Sequence, residues 1–439
     1  MSIRVLDAAP LPVPAHATEY ESIKHELHAE LVAALDPVAL KQLTRAELEP
    51  QLRARLDRTV HSRELPLTAN EQDRAVDEII DEVLGFGPLE RLLRMPDTTD
   101  ILVNGPDTVF VERAGRLERV PVRFRDEEHL RHVIDRIVSR VGRRIDESVP
   151  TVDARLPDGS RFHAIIPPLA LDGSTVSIRR FGLNPILRGD LLRLGSIPEP
   201  AMRLLEGCVR SRLNILVSGG TGSGKTTLLN VLSGFVPAGE RVITIEDAAE
   251  LRLQQPHVVR LETRPPNLEG AGEVTTRELV RNALRMRPDR IIVGEIRGLE
   301  AIDMLQAMNT GHEGSICTIH ANSPRHALTR IETMVGLGMG NISGTAIREM
   351  IAGAIDLIIQ VNRHSDGRRR VTSFTEVTGI SGNLIATQEL FRFRQRTTDP
   401  DGRVRGIFES TGVRPDFAAR FTAYGQSLDT ELLSIAEEA

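Results

Sequence analysis

A chain of 439 residues, 40% hydrophobic and 26% charged, is long enough to bury two or three separate cores. A formal charge of −6 and an aromatic content of 3% without Trp exclude a broad polyanion-binding surface and a stacking platform for single strands, so no nucleic-acid partner is expected. Two cysteines, Cys208 and Cys317, are too few for a multi-cysteine zinc site and read as buried thiols of a reducing compartment, and no apolar run reaches the eighteen residues of a membrane span.

Residues 1–18, with three prolines and no periodicity, read as a mobile tail. Over 19–95 the pattern turns helical. Ile23, Leu27, Leu31 and Leu35 recur at every fourth position, a second helix is predicted over roughly 38–60, and a third opens near Thr68 or Asn70. Between 96 and 181, alternating runs such as TDILVNG and TVFVERAG surround one helix capped by Asp126, and further strands are predicted around 151–156, 160–166 and 175–180. This α+β domain places Arg155, Arg161, Arg179 and Arg180 where strands meet turns. The Pro- and Gly-rich stretch 182–196 reads as an interdomain linker. From 197 to 439, the apolar runs RLNILVSG, RVITIED, DRIIVGE, SICTIHA and DLIIQV alternate with helical segments. Such alternation predicts an α/β domain with a mainly parallel sheet, and turns at Asp366-Gly367 and Gly382-Asn383 then mark a β-meander.

One stretch organises the rest. Gly219, Gly220, Thr221, Gly222, Ser223, Gly224, Lys225 and Thr226 fit G-x-x-x-x-G-K-[ST], a phosphate-binding loop, with Thr227 just beyond. Gly220, Gly222 and Gly224 let the backbone curl so that successive N–H groups point inward, Lys225 neutralises β- and γ-phosphates, and the Thr226 hydroxyl holds Mg²⁺. The chain has only three lysines, Lys24, Lys41 and Lys225, so a chance match is rare. Two strands deliver carboxylates to the edge where a doubly wound sheet binds ligands: VITIED brings Glu246 and Asp247, and RIIVGEIR brings Glu295. One carboxylate would organise the metal and the other polarise water. The alternative for either alone is an acidic cap on the following segment. His312 in TGHEGS and His320 in CTIHANS also stand out, and His320 falls on the ligand edge, where it could sense a γ-phosphate or serve as a structural histidine.

In this order and spacing, GGTGSGKTT, VITIEDAAEL, ALRMRPDRIIVGEIRG and MNTGHEGSICTIHANSP resemble the Walker A, Asp-box, Walker B and His-box motifs of secretion-superfamily ATPases. Within that group, ILVNGPDTVFVERAG, VDARLPDGSRFHAIIPPLA and STVSIRRF resemble the CpaF branch that powers tight-adherence (Flp-type) pili. The resemblance implies a RecA-like P-loop ATPase core, a preceding α+β (PAS-like) domain and an N-terminal helical module. It also implies a cytoplasmic homo-hexamer docked at an inner-membrane platform protein, binding ATP and Mg²⁺. Glu246 would then be the general base, Glu295 would act on Mg²⁺ and water, and Arg155, Arg161, Arg179 and Arg180 would close over the phosphates. With two cysteines, the four-cysteine zinc module of many type II secretion and pilus-assembly motors cannot form. A type IV secretion or conjugation ATPase, a nucleic-acid translocase and a nucleotide-gated scaffold are the alternatives to a pilus motor.

Overall fold

The computed structural model describes residues 15–33, 45–63, 65–113, 116–180, 186–264, 266, 271–340, 342–428 and 436–438. It divides into two units, Met1–Leu183 and Asn184–Ala439. In the first, helices Ala15–Ala33, Arg45–Ser62 and Ala69–Leu84 bury a shared stripe of Leu27, Leu31, Leu52, Leu56, Ile79 and Ile80. Helix one opens at Ala15, inside the stretch read as a tail, because the Ala-rich sequence there favours helix. Residues 1–14, Leu35, the expected start of helix two near 38, and residues 114–115 lie outside the described residues. Thr68 caps helix three, and its hydroxyl and Glu71 form a reciprocal capping box.

A six-stranded antiparallel sheet follows: β1 (Thr98–Asn104), β2 (Val109–Arg113), β3 (Arg116–Val120), β4 (Thr151–Arg155), β5 (Arg161–Ile165) and β6 (Thr175–Arg179), in the order β3-β2-β1-β6-β5-β4. Alternation puts Ile101, Val103, Phe162, Ala164, Val176 and Ile178 on one face, where helix Glu127–Arg140 covers them with Leu130, Val133, Ile134 and Ile137. The register pairs Arg155 with Arg161 and Arg161 with Arg179, so three arginines form a row across β4, β5 and β6.

The second unit is built on a ten-stranded sheet: β7 (Ile215–Gly219), β8 (Val242–Glu246), β9 (Val258–Glu262), β10 (Arg290–Ile296), β11 (Ile316–Ile319), β12 (Leu357–Arg363), β13 (Arg369–Ser381), β14 (Leu384–Thr398), β15 (Val404–Ser410) and β16 (Ala436–Glu438). The order is β16-β15-β14-β13-β12-β7-β11-β10-β8-β9. From β12 to β9 every pairing is parallel, and from β12 to β16 every pairing is antiparallel. Along β7, Ile215 and Val217 join one core with helices Glu199–Arg210 and Lys225–Ser233, while Leu216 joins the other with helices Glu300–Asn309 and Pro324–Gly338. Both faces are buried, which is why these strands read as continuous apolar runs.

Local signals place the helix ends. Thr275 and Glu278 form a capping box, and Ser323 caps the helix that begins at Pro324. That helix continues past Gly336 to Gly338, since a glycine inside a packed helix weakens it without ending it. The described part of the linker contains a short helix, Arg188–Arg193, with Asp190 accepting from the Leu187 N–H at 2.9 Å. β9 and β16 have no counterpart among the expected strands. β9 is an edge strand with half-exposed residues, so it lacks the apolar run that marks its neighbours.

One buried amide fixes the base of the parallel sheet. Asn214 Oδ1 accepts from the Gly314 and Ser315 N–H groups at 2.9 and 3.2 Å, and its Nδ2 donates to the Ala354 carbonyl at 2.8 Å. It thereby ties the entries of β7, β11 and β12 together. Asn214→Ala leaves these groups buried without partners, and a loss of about 3 kcal/mol is expected. Urea denaturation should show a lower midpoint with an unchanged slope.

Candidate active site

The apolar strand β7 ends at Gly219, and the chain turns through the glycine-rich loop into helix Lys225–Ser233. Gly222 and Gly224 have φ of +66° and +100°, the left-handed region that favours glycine. Gly219 is required for a different reason: a Cβ there would collide with the Val361 carbonyl and Ser223 Oγ. Gly220, grouped with the conformationally essential glycines on sequence grounds, has neither a positive φ nor an atom within 4 Å of a Cβ. The crowding comes from β12 beside the loop, which the local pattern does not contain.

Lys225 Nζ donates to the carbonyls of Gly219 and Gly220, both at 3.0 Å. Burial holds its ammonium below the usual lysine range, and the Glu295 carboxylate opposes that shift. Ser223 Oγ is buried with no hydrogen-bond partner among the described residues. Thr226 and Thr227 occupy the first turn of the helix, and Thr221 is exposed on the loop. A curled loop, a helix N-terminus and a lysine drawn against loop carbonyls suit a polyphosphate with its cation.

Three strands along the sheet, beyond β11 and β10, Glu246 ends β8 and is 4% exposed. Its Oε2 accepts from the N–H groups of Glu250 and Leu251 at 2.7 and 2.9 Å, while Oε1 is buried with no partner among the described residues. Burial pushes the carboxyl up to about 7, against the two backbone N–H groups that favour its charged form. Gly294 on β10 makes room for it: a Cβ there would stand 3.0 Å from Glu246 Cγ. Glu295 follows on β10, and its Oε2 accepts from Arg297 Nη2 at 2.7 Å. Arg297 also reaches Asp247 at 3.2 Å, so one guanidinium joins the carboxylates of two strands.

The two histidines part company. His320 directly follows β11, which lies between β7 and β10, and lines a hollow of about 230 Å³ with Ala321, Asn322, His326 and Arg330. His312 lies before β11, at the opposite edge of the sheet, where Ser315 Oγ donates to its carbonyl at 2.7 Å. The structure does not bring His312 to the loop, because a strand crosses the sheet between the two histidines. The four arginines belong to the other unit. There Arg180 donates to the carbonyls of Met95 and Thr98 and closes the end of β6, Arg161 pairs with Asp153 at 3.4 Å, and Arg179 is exposed.

Three cations at this edge escaped the sequence reading. Arg297 could have been found two residues after Glu295, on the same side of an extended strand. Arg363 and Arg369 flank the turn at Asp366-Gly367, and Arg369 Nε donates to the Gly222 carbonyl at 2.8 Å. Their signal was the arginine-rich run on both sides of a predicted hairpin turn.

Residues 82–404 match the family described as type II/IV secretion system protein. A Mycobacterium tuberculosis protein named for conjugal transfer is 43% identical over 314 residues, covering 70% of this chain and 88% of that protein. The type IV secretion system protein PtlH of Bordetella pertussis is 35% identical over 317 residues, covering 66% of this chain and 93% of its own. Among solved structures, the VirB11 ATPase of the Brucella suis type IV secretion system in complex with sulphate is 31% identical, with a TM-score of 0.36, and the match covers 65% of this chain and 91% of that one.

The buried carboxyl makes stability depend on pH. Glu246 moves from an ordinary 4.5 to about 7 on folding, so the folded state holds this proton longer than the unfolded chain does. Its contribution is full below 4.5 and is lost as the pH rises through 7, a change of about 3 kcal/mol. Denaturation of wild type and Glu246→Gln at both ends of this window should show the wild type losing that amount relative to the variant.

Proposed function

The chain belongs to the type II/IV secretion system protein family, and on that premise we propose that it is an ATP-hydrolysing motor of a type IV secretion or conjugation machine. The observation that carries the proposal is the convergence, at one sheet edge, of the phosphate loop with Glu246 and Glu295 on separate strands. The loop N–H groups and Lys225 hold the phosphates, and Thr226 with Glu295 holds Mg²⁺. When bound, ATP with Mg²⁺ supplies the phosphoanhydride whose hydrolysis drives the machine. Glu246, buried and ionising near 7, is suited to take a proton from water at Oε1, since a base works best when its pKa lies near the working pH. Arg297 keeps Glu295 and Asp247 in register, and His320 sits where loss of a phosphate could be sensed.

The relatives named for conjugal transfer and type IV secretion favour this machine over the tight-adherence pilus. The pilus reading keeps its support from the CpaF-like wording of residues 101–181, and the two differ in which platform protein receives the force. For either, we propose a homo-hexameric ring at the cytoplasmic face of the inner membrane. The described residues contain no helix long and apolar enough to cross a membrane. Arg161 and Arg179 remain candidates to close over the phosphates, with Arg155 beside them in the row.

Three variants test the chemistry. Lys225→Ala should lose nucleotide binding. Glu295→Gln should bind ATP within about threefold of wild type but turn over at least about a hundredfold more slowly. Wild-type turnover should rise with pH through about 7, and Glu246→Gln should remove both the rise and most of the rate. Wild-type turnover in Glu295→Gln overturns its assignment. Deleting the gene should abolish conjugative transfer or protein secretion; loss of pili alone moves the machine to the tight-adherence branch.

A further inference from the structure

The hairpin joining β12 to β13 is built to hold arginines against the phosphate loop. The register sets Arg363 opposite Arg369, so two cations share one face of a β-ladder. Both are exposed, and both lie at the loop. Arg369 Nε donates to the Gly222 carbonyl at 2.8 Å, and its Cδ is 3.4 Å from where a Cβ on Gly224 would be. A Cβ on Gly222 would lie 4.0 Å from Arg363 Nη1.

Beneath this pair the hairpin is anchored by a buried cation. Arg370 is 1% exposed, pairs with Asp366 at 3.4 Å, donates to the Val404 carbonyl at 3.2 Å, and lies 5.1 Å from the centroid of the Phe393 ring. Asp366 also accepts from the N–H groups of Val404 and Arg368, at 3.1 and 3.0 Å. Gly367, with φ of +82°, completes the turn. The tip is therefore tied to β15 by buried polar contacts, and the two outward arginines are held in one position relative to the loop.

We propose that Arg363 and Arg369 form a cationic clamp for the terminal phosphates of a nucleoside triphosphate, supplied by the same chain as the phosphate loop. This rests on the nucleotide-binding reading of that loop. A guanidinium fork suits phosphate oxygens, and a pair set by a hairpin register needs no domain closure to be in place. The clamp is thus distinct from the arginines of the first unit.

The test measures ADP and a non-hydrolysable ATP analogue by displacement of a fluorescent nucleotide from the full chain. Wild type, Arg363→Ala, Arg369→Ala, Arg363→Lys and Lys225→Ala are compared. Both alanine variants remove exposed side chains, and matching thermal transitions check that they fold. Each should weaken the ATP analogue by about tenfold and ADP by less, with Arg363→Lys recovering part of the loss. Unchanged affinities, or equal losses for the two nucleotides, overturn the clamp, because a residue that only shapes the loop affects both alike. Failure of the wild type itself to bind either nucleotide sinks the reading beneath the proposal instead.

Discussion

Five parallel strands, from β12 to β8, covered on both faces leave chemistry only one place to go. Every side chain along β7, β8 and β11 is buried, on one side or the other, among Ile, Leu, Val and their packed helices. A charged group in that layer would be desolvated without a partner, so polar function is confined to the strand ends. Parallel pairing then brings all the C-terminal ends to the same edge. The loop after β7, Glu246 on β8, Glu295 on β10 and His320 after β11 share an edge because their strands run the same way.

At that edge the balance between desolvation and hydrogen bonding is set residue by residue. Glu246 accepts two backbone N–H bonds, which should favour its charge, yet burial wins and the carboxyl ionises near 7. Asp247, one residue later, is half exposed and bound to Arg297 and Thr276. Adjacent acids thus have different environments, one buried and holding its proton up to about 7, the other half exposed beside a cation. Lys225 shows the mirror effect, with burial weakening its hold on the proton while Glu295 restores part of it.

The antiparallel extension from β12 to β16 has a structural consequence for the loop. β12 lies beside β7, so the Val361 carbonyl presses on Gly219 and excludes any side chain there. The turn into β13 returns arginines to Gly222 and Gly224. A meander that reads as an appendage is in this way part of the wall of the site. Its aromatic cluster of Phe374, Phe391, Phe393 and Phe408 holds that wall in place.

By itself the sequence determined what depends on near neighbours along the chain. The glycine and lysine spacing of the loop, the capping box at Thr275 and Glu278, the apolar strands and the carboxylates at their ends all follow from rules that span a few residues. Tertiary structure decided what depends on strand order and register. It placed β8 and β10 side by side so that Gly294 could admit Glu246, and it made Gly219 rather than Gly220 the crowded glycine. It put His312 and His320 at opposite edges although they are close in sequence, because β11 crosses the sheet between them. It also brought Arg363 and Arg369 to the loop from more than a hundred residues away. These arrangements come from packing among distant segments, and no local pattern carries that information.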